Sequence, residues 1–216
     1  MIGLLGGTFD PVHCGHLDVA RAARRAMGLE QIWLMPSRLP PHRSVPVASA
    51  AHRFAMVALA VADEPGMLVS DVEMDTPGPS YTVETLDRLE ARGVRGRSVC
   101  FIAGADAFCD VPSWKAYPAL LDRCHFAVIS RPGLPAASLR TAMPALAGRM
   151  IAAPAKPRDE PAIYLVEAAT TPVSSTDVRR RAAGHHPLSG LVPPAVAAHM
   201  ARHALYTTAP STRTSA

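Results

Sequence analysis

The chain has 216 residues, a formal charge of +4 and 49% hydrophobic residues. That is enough to bury a full core in one domain, or in one domain with a small lobe. No block of five or more like charges marks a nucleic-acid tail, and no apolar stretch reaches the ~20 residues of a membrane-spanning helix. Cys14, Cys100, Cys109 and Cys124 form no C-x-x-C pair and read as free thiols of a reducing compartment. The opening MIGLLGGTFDP lacks a basic segment and a long apolar run, so a signal peptide is not expected and the cytoplasm is the expected location.

Short apolar runs alternate with amphipathic stretches. Strands are expected at Ile2 to Leu5, Gln31 to Met35, Met67 to Met74, Val99 to Ala103, Phe126 to Ser130 and Ile163 to Val166. Helices are expected at Gly15 to Met27, His52 to Ala62, Thr82 to Arg92, Thr176 to Ala183 and Pro194 to Leu205. Within them, Phe54, Val57, Ala58 and Val61 form one inward stripe, and Thr85, Leu86 and Leu89 another. Strands separated by helices point to a parallel α/β sheet with helices on both faces and a small helical part at the C-terminus. Ligands of such sheets bind beyond the carboxyl ends of the strands. Residues 134–160, rich in Ala, Pro and Arg, carry no clear pattern. Residues 1–206 read as a single domain and 207–216 as a frayed tail.

Two segments carry the strongest chemical signal. GGTFDPVHCGH, from Gly6 to His16, follows a strand and opens a helix. Its glycines allow a sharp turn and close backbone approach, and the helix start offers N–H donors to phosphate. His13 and His16 lie three residues apart, so one helical turn could place both on one side. Neither a dinucleotide fingerprint nor a P-loop is present. A zinc site would be incomplete with only His13, His16 and Asp10. PVSSTDVRRR, from Pro172 to Arg181, places Ser174, Ser175 and Thr176 where a helix is capped, with Arg179 one turn in. An Arg fork matches phosphate oxygens and stays charged.

The first segment resembles the H-x-G-H signature of the nucleotidylyltransferase superfamily, whose fold is Rossmann-like. The second resembles that superfamily's I-S-S-T-x-[IV]-R signature, with Val173 in place of Ile. Five further segments follow in order: PSRLPPHR with His42 and Arg43, SYTVETL with Tyr81 and Thr82, GADAF with Gly104 and Asp106, PSWKAY with Trp114 and Lys115, and RPG beginning at Arg131. Together they resemble bacterial nicotinate-nucleotide adenylyltransferases from residue 1 to about residue 206, weakly between 134 and 160.

The resemblance implies an enzyme with ATP and nicotinate mononucleotide as partners, in which His13, His16 and Arg179 are catalytic. It implies ATP contacts from Gly6, Gly7, Thr8, Phe9, His16, Gly104, Asp106, Arg131, Ser174, Ser175, Thr176 and Arg179. The acceptor would be held by Thr8, His42, Arg43, Tyr81, Thr82, Trp114 and Lys115, with Trp114 stacked on the pyridine ring and the amides near Thr82 and Lys115 receiving its carboxylate. The family loop commonly reads PPHK; Arg43 here keeps the charge and changes the donor geometry. Mg²⁺ is expected on the ATP phosphates, without a protein-held metal. Nucleic acid and membrane are not expected partners, and the oligomeric state, a homo-oligomer included, is left open. Sister families with pantetheine, glycerol or choline phosphate acceptors share the first segment but are not expected to share SYT and PSW. A different class, a non-catalytic nucleotide sensor on the same fold, would be marked by lost histidines or a lost arginine.

Overall fold

The computed structural model describes residues 1–40, 45–74 and 78–207. His42 and Arg43, and residues 208–216 of the expected tail, lie outside the described residues.

Seven strands form a single parallel sheet: β1 Ile2–Gly7, β2 Gln31–Pro36, β3 Met67–Val69, β4 Val99–Gly104, β5 His125–Ile129, β6 Met150–Ala152 and β7 Ile163–Val166. Their spatial order is β3-β2-β1-β4-β5-β7-β6. The chain therefore winds outward from β1 to β3 and then crosses to the other side of β1. That reversal, between β1 and β4, opens a crevice at the carboxyl ends of both strands. The helices are α1 Cys14–Met27, α2 Ala50–Val61, α3 Thr82–Ala91, α4 Ala105–Cys109, α5 Leu139–Ala142, α6 Ser175–Ala183 and α7 Pro194–Arg202.

Side chains alternate across the sheet as period-2 strands require. Leu5, Cys100, Ile102, Ala127 and Ile129 pack with α1, α2, α6 and α7 on one face. Leu4, Phe101, Ala103, Phe126 and Val128 pack with α3, α4 and α5 on the other. All six residues of β4 are buried, as a central parallel strand covered on both faces demands. Among the described residues no helix is long and apolar enough to cross a membrane.

The structure corrects three expectations and fills one unassigned region. The third strand ends at Val69 rather than Met74; beyond Ser70, whose amide bonds the Leu34 carbonyl, the chain turns, with Met74 donating to the Asp71 carbonyl. The inward stripe of α2 is Arg53, Met56, Val57, Ala60 and Val61, not the stripe with Phe54 and Ala58. A charged Arg53 at the first inward position shifted the apparent apolar face. The last helix stops at Arg202, because Ala204 adopts a left-handed φ of 47°. Finally, residues 134–160 contain α5 and the three-residue strand β6, both too short to leave a periodic pattern.

Candidate active site

β1 ends in Gly6 and Gly7, and the chain then turns over Thr8 and Phe9 before α1 begins. Phe9 takes a left-handed φ of 49°, and its buried ring lies against Gly7, where an added Cβ would come within 2.9 Å of it. Only glycine fits there. His13 is the N-cap of α1, not part of the helix. Its backbone N–H donates to His16 Nδ1 at 3.2 Å, and the two imidazoles stack with centroids 3.6 Å apart. Phe9 meets His16 edge-on at 4.9 Å. The pair is thus pre-arranged by the helix start rather than by a loop.

The two histidines are not equivalent. His16 lines the cleft, whereas His13 lies beneath it and is only 4% exposed. Burial, reinforced by the charge of Arg131 and opposed by Asp18, lowers the His13 pKa to about 4. His13 is therefore neutral at pH 7, and its Nδ1 is buried with no hydrogen-bond partner among the described residues. Its contribution is that of a polar imidazole, not a positive charge.

The second segment docks against the first. Ser175 donates its hydroxyl to the Pro11 carbonyl at 2.8 Å, and Arg179 Nη1 donates to the Asp10 carbonyl at 2.7 Å. Asp18 of α1 accepts both the amide and the hydroxyl of Thr171, at 2.9 and 2.6 Å. Burial raises the Asp18 pKa, but these two bonds and Arg21 outweigh it and hold the carboxyl below its ordinary value. Ser174 caps α6 by accepting from the Asp177 amide at 3.1 Å. Arg179 also donates to Thr176 Oγ1 at 3.2 Å.

A network that sequence reasoning missed braces this junction. Asp10, 5% exposed, accepts the amides of Val47 and Ala48 at 2.7 and 3.0 Å and the Tyr206 hydroxyl at 2.6 Å. Arg53, 1% exposed, donates to the carbonyls of Thr8, Ser37, Arg38 and Ala48. It thereby ties the turn after β1 to the loop after β2. Asp10 was legible only as part of its motif; nothing in the sequence distinguishes Arg53 from an exposed helical arginine or joins Tyr206 to Asp10.

The cleft holds about 490 Å³ and runs from this junction across the ends of β1 and β4 to the start of α3. Gly6, Gly7, Thr8, Phe9, His16 and Ser175 line one end, with Gly104, Asp106 and Arg131 beyond them. Arg131 Nε donates to Asp106 Oδ1 at 3.3 Å, over Gly104; a Cβ on Gly104 would lie 2.6 Å from that nitrogen. Tyr81, Thr82, Trp114 and Lys115 line the other end, joined by Glu73, Ser80 and Phe101. Trp114 meets Phe101 edge-on at 5.9 Å. Lys115 binds Glu84 at 2.6 Å and sits 4.8 Å above the Tyr81 ring. Thirteen of the expected site residues thus share one cavity: Gly6, Gly7, Thr8, Phe9, His16, Tyr81, Thr82, Gly104, Asp106, Trp114, Lys115, Arg131 and Ser175. His13, Ser174, Thr176 and Arg179 stand behind or beside its wall, Arg179 reaching the turn through Asp10.

A parallel sheet with a switch-point cleft, a histidine pair at a helix start and a second capped helix docked on the same turn define a nucleotide-handling class of α/β protein. The chain belongs to the cytidylyltransferase-like family, whose model matches residues 4–181. Within that class its relatives are particular. A protein of Symbiobacterium thermophilum is 39% identical over 206 residues, 95% of this chain and 94% of its own. One of Halorhodospira halophila is 42% identical over 197 residues, 90% of each chain. Both are named "Probable nicotinate-nucleotide adenylyltransferase", and the chain is a member of that group. In fold it is similar to the nicotinic acid mononucleotide adenylyltransferase of Plasmodium falciparum complexed with NaAD, with a TM-score of 0.72 and 18% identity over 95% of this chain and 96% of that one.

Proposed function

We propose that the chain transfers the adenylyl group of ATP to nicotinate mononucleotide, giving deamido-NAD and pyrophosphate. The observation that carries this reading is the single cleft with two chemically different ends. One is a turn of glycines and His16 against the start of α6; the other is a pocket lined by Tyr81, Thr82, Phe101 and Trp114.

The acceptor phosphate oxygen attacks the α-phosphorus of ATP, the bond to the bridging oxygen of the β-phosphate breaks, and pyrophosphate leaves with that electron pair. A phosphate monoester, with a second pKa near ~6, is largely deprotonated at neutral pH, so no general base is required. The protein aligns two anions that repel each other and offers donors to the charge that develops. His16 and Arg131 face the cleft for that task, and Gly6 and Gly7 let the backbone approach the phosphates. Arg179 holds the Asp10–Pro11 turn, and its fork would be drawn on by the same anions. Asp106, which accepts from Arg131 Nε, would take a ribose hydroxyl. Trp114 offers a ring face to the pyridine, and the amides at Thr82 and Lys115 receive its carboxylate.

Among the described residues no group of three or more His, Cys, Asp or Glu side chains could hold a metal ion. We expect Mg²⁺ on the ATP phosphates themselves, where it would neutralise charge on the departing pyrophosphate.

The test is pyrophosphate release by purified protein with ATP, Mg²⁺ and, in turn, nicotinate mononucleotide, nicotinamide mononucleotide and pantetheine phosphate. Turnover is expected with nicotinate mononucleotide far above the others. Equal or faster turnover with another acceptor would overturn the assignment.

A further inference from the structure

Glu73 is a buried carboxyl in the acceptor end of the cleft that the reaction does not use. It stands in the turn after β3, is 5% exposed and lines the cavity beside Ser80, Tyr81 and Thr82. Burial pushes its pKa up, while the Thr85 and Ser80 hydroxyls and Arg88 pull it down. Thr85, fully buried, donates its hydroxyl to Glu73 Oε1 at 2.6 Å. Thr85 belongs to the first turn of α3, and its hydroxyl lies 3.2 Å from the Tyr81 carbonyl that opens that turn.

The start of α3 is held by tertiary bonds. Its N-cap is Tyr81, whose side chain makes no capping bond, so the helix lacks the local oxygen that normally fixes a first turn. Two tertiary bonds take over. Ser80 donates its amide to the Leu39 carbonyl at 2.9 Å, and Thr85 is anchored to Glu73. The second bond reaches the helix from the turn after β3. Through Lys115 and Glu84 the same helical turn also carries the loop that follows Trp114. Whatever fixes the first turn of α3 fixes both donors of the acceptor's carboxylate.

We infer that Glu73 is a positioning residue for the acceptor: by accepting the Thr85 hydroxyl it ties the first turn of α3 to the turn after β3 and sets the Tyr81–Thr82 amides at the depth the pyridine carboxylate requires. This rests on the functional reading above. It makes acceptor affinity, and not ATP affinity or the chemical step, the quantity under Glu73's control, because the junction of Asp10, Arg53 and α6 is braced separately.

The experiment compares wild type with Glu73→Ala, Glu73→Gln, Thr85→Val and Thr85→Ser, measuring KM for each substrate, kcat, and the thermal midpoint. Loss of one buried hydrogen bond corresponds to about a tenfold effect. Glu73→Ala and Thr85→Val should therefore each raise KM for nicotinate mononucleotide about tenfold, with ATP KM and kcat within about twofold. The double variant should be no worse than the poorer single, since both singles already remove the shared Thr85–Glu73 bond. Glu73→Gln, whose amide oxygen still accepts, and Thr85→Ser, whose hydroxyl still donates, should recover most of the loss. Equal rises in both KM values, an unchanged acceptor KM, or a glutamine variant as poor as the alanine would overturn the inference. If Glu73→Ala does not fold, the Thr85 pair decides alone. The wild-type acceptor panel separates the two readings. Preference for another acceptor sinks the function proposed above, and the variants are then compared on that acceptor. Should wild type turn over none, calorimetric titration with nicotinate mononucleotide and with ATP supplies the same split.

Discussion

The two ends of the cleft are built differently. At the phosphate end the chain after β1 is held by residues far apart in sequence: Asp10 bonds Tyr206, Arg179 bonds the Asp10 carbonyl, and Arg53 holds four carbonyls from two loops. Asp10 and Arg53 are nearly inaccessible. At the acceptor end the ties are fewer and wetter, with Lys115 half-exposed on Glu84. Exposed pairs of this kind contribute little to stability. The difference teaches that the end proposed to handle the two repelling phosphates is cross-tied by buried hydrogen bonds of the protein itself. The end that reads the acceptor is fixed mainly at its helix start, by Thr85 and Glu73.

That contrast breaks or sharpens on four measurements. The largest effect is expected from His16→Ala, which removes the imidazole facing the cleft. Turnover should fall roughly 100- to 1,000-fold with acceptor KM little changed. Near-normal kcat would detach His16 from the reaction. Arg53→Met comes next. It keeps the buried stem and strips the guanidinium from four carbonyls, so denaturant unfolding should show a loss of about 3 kcal/mol. A loss below about 1 kcal/mol would mean the phosphate end is not braced as described.

Acidification is the third test. The His13 pKa of about 4 in the fold lies below the 6.5 of a free imidazole. The unfolded chain binds the proton more readily, so the contribution is whole above pH 6.5 and drains away as pH falls toward 4, by up to roughly 3 kcal/mol. His125 and His199, also lowered by burial, shift in the same direction. The slope that His13→Asn removes between pH 6.5 and 4 therefore isolates His13; an unchanged slope would contradict its buried, neutral state. The smallest effect is expected from Trp114→Ala: a rise of about tenfold in acceptor KM, with ATP KM and stability nearly unchanged. A change confined to ATP affinity would reverse the assignment of the two ends.

Much of this was legible in the chain itself. Short apolar runs located six of the seven strands among the described residues, and the glycine turn with its two histidines marked one end of the cleft. Local chemistry is enough for such features, because a buried parallel strand must be apolar and a sharp turn must be glycine. The run from Met67 to Met74 misled because its alternation continues past the last paired residue. What ends β3 is the turn that buries Glu73, and that turn answers to α3 rather than to its own sequence.

The sequence by itself determined the parallel α/β architecture, the family and most of the residues that line the cleft, since those follow from local periodicity and from motifs whose spacing is short. Only the tertiary structure decided that His13 is buried and neutral while His16 faces the cavity, that Arg179 reaches the Asp10 turn, and that Arg53, Glu73 and Tyr206 serve the site. Each of those depends on burial or on a hydrogen bond between distant segments. A carboxyl or guanidinium reads the same in a sequence whether water or four carbonyls surround it.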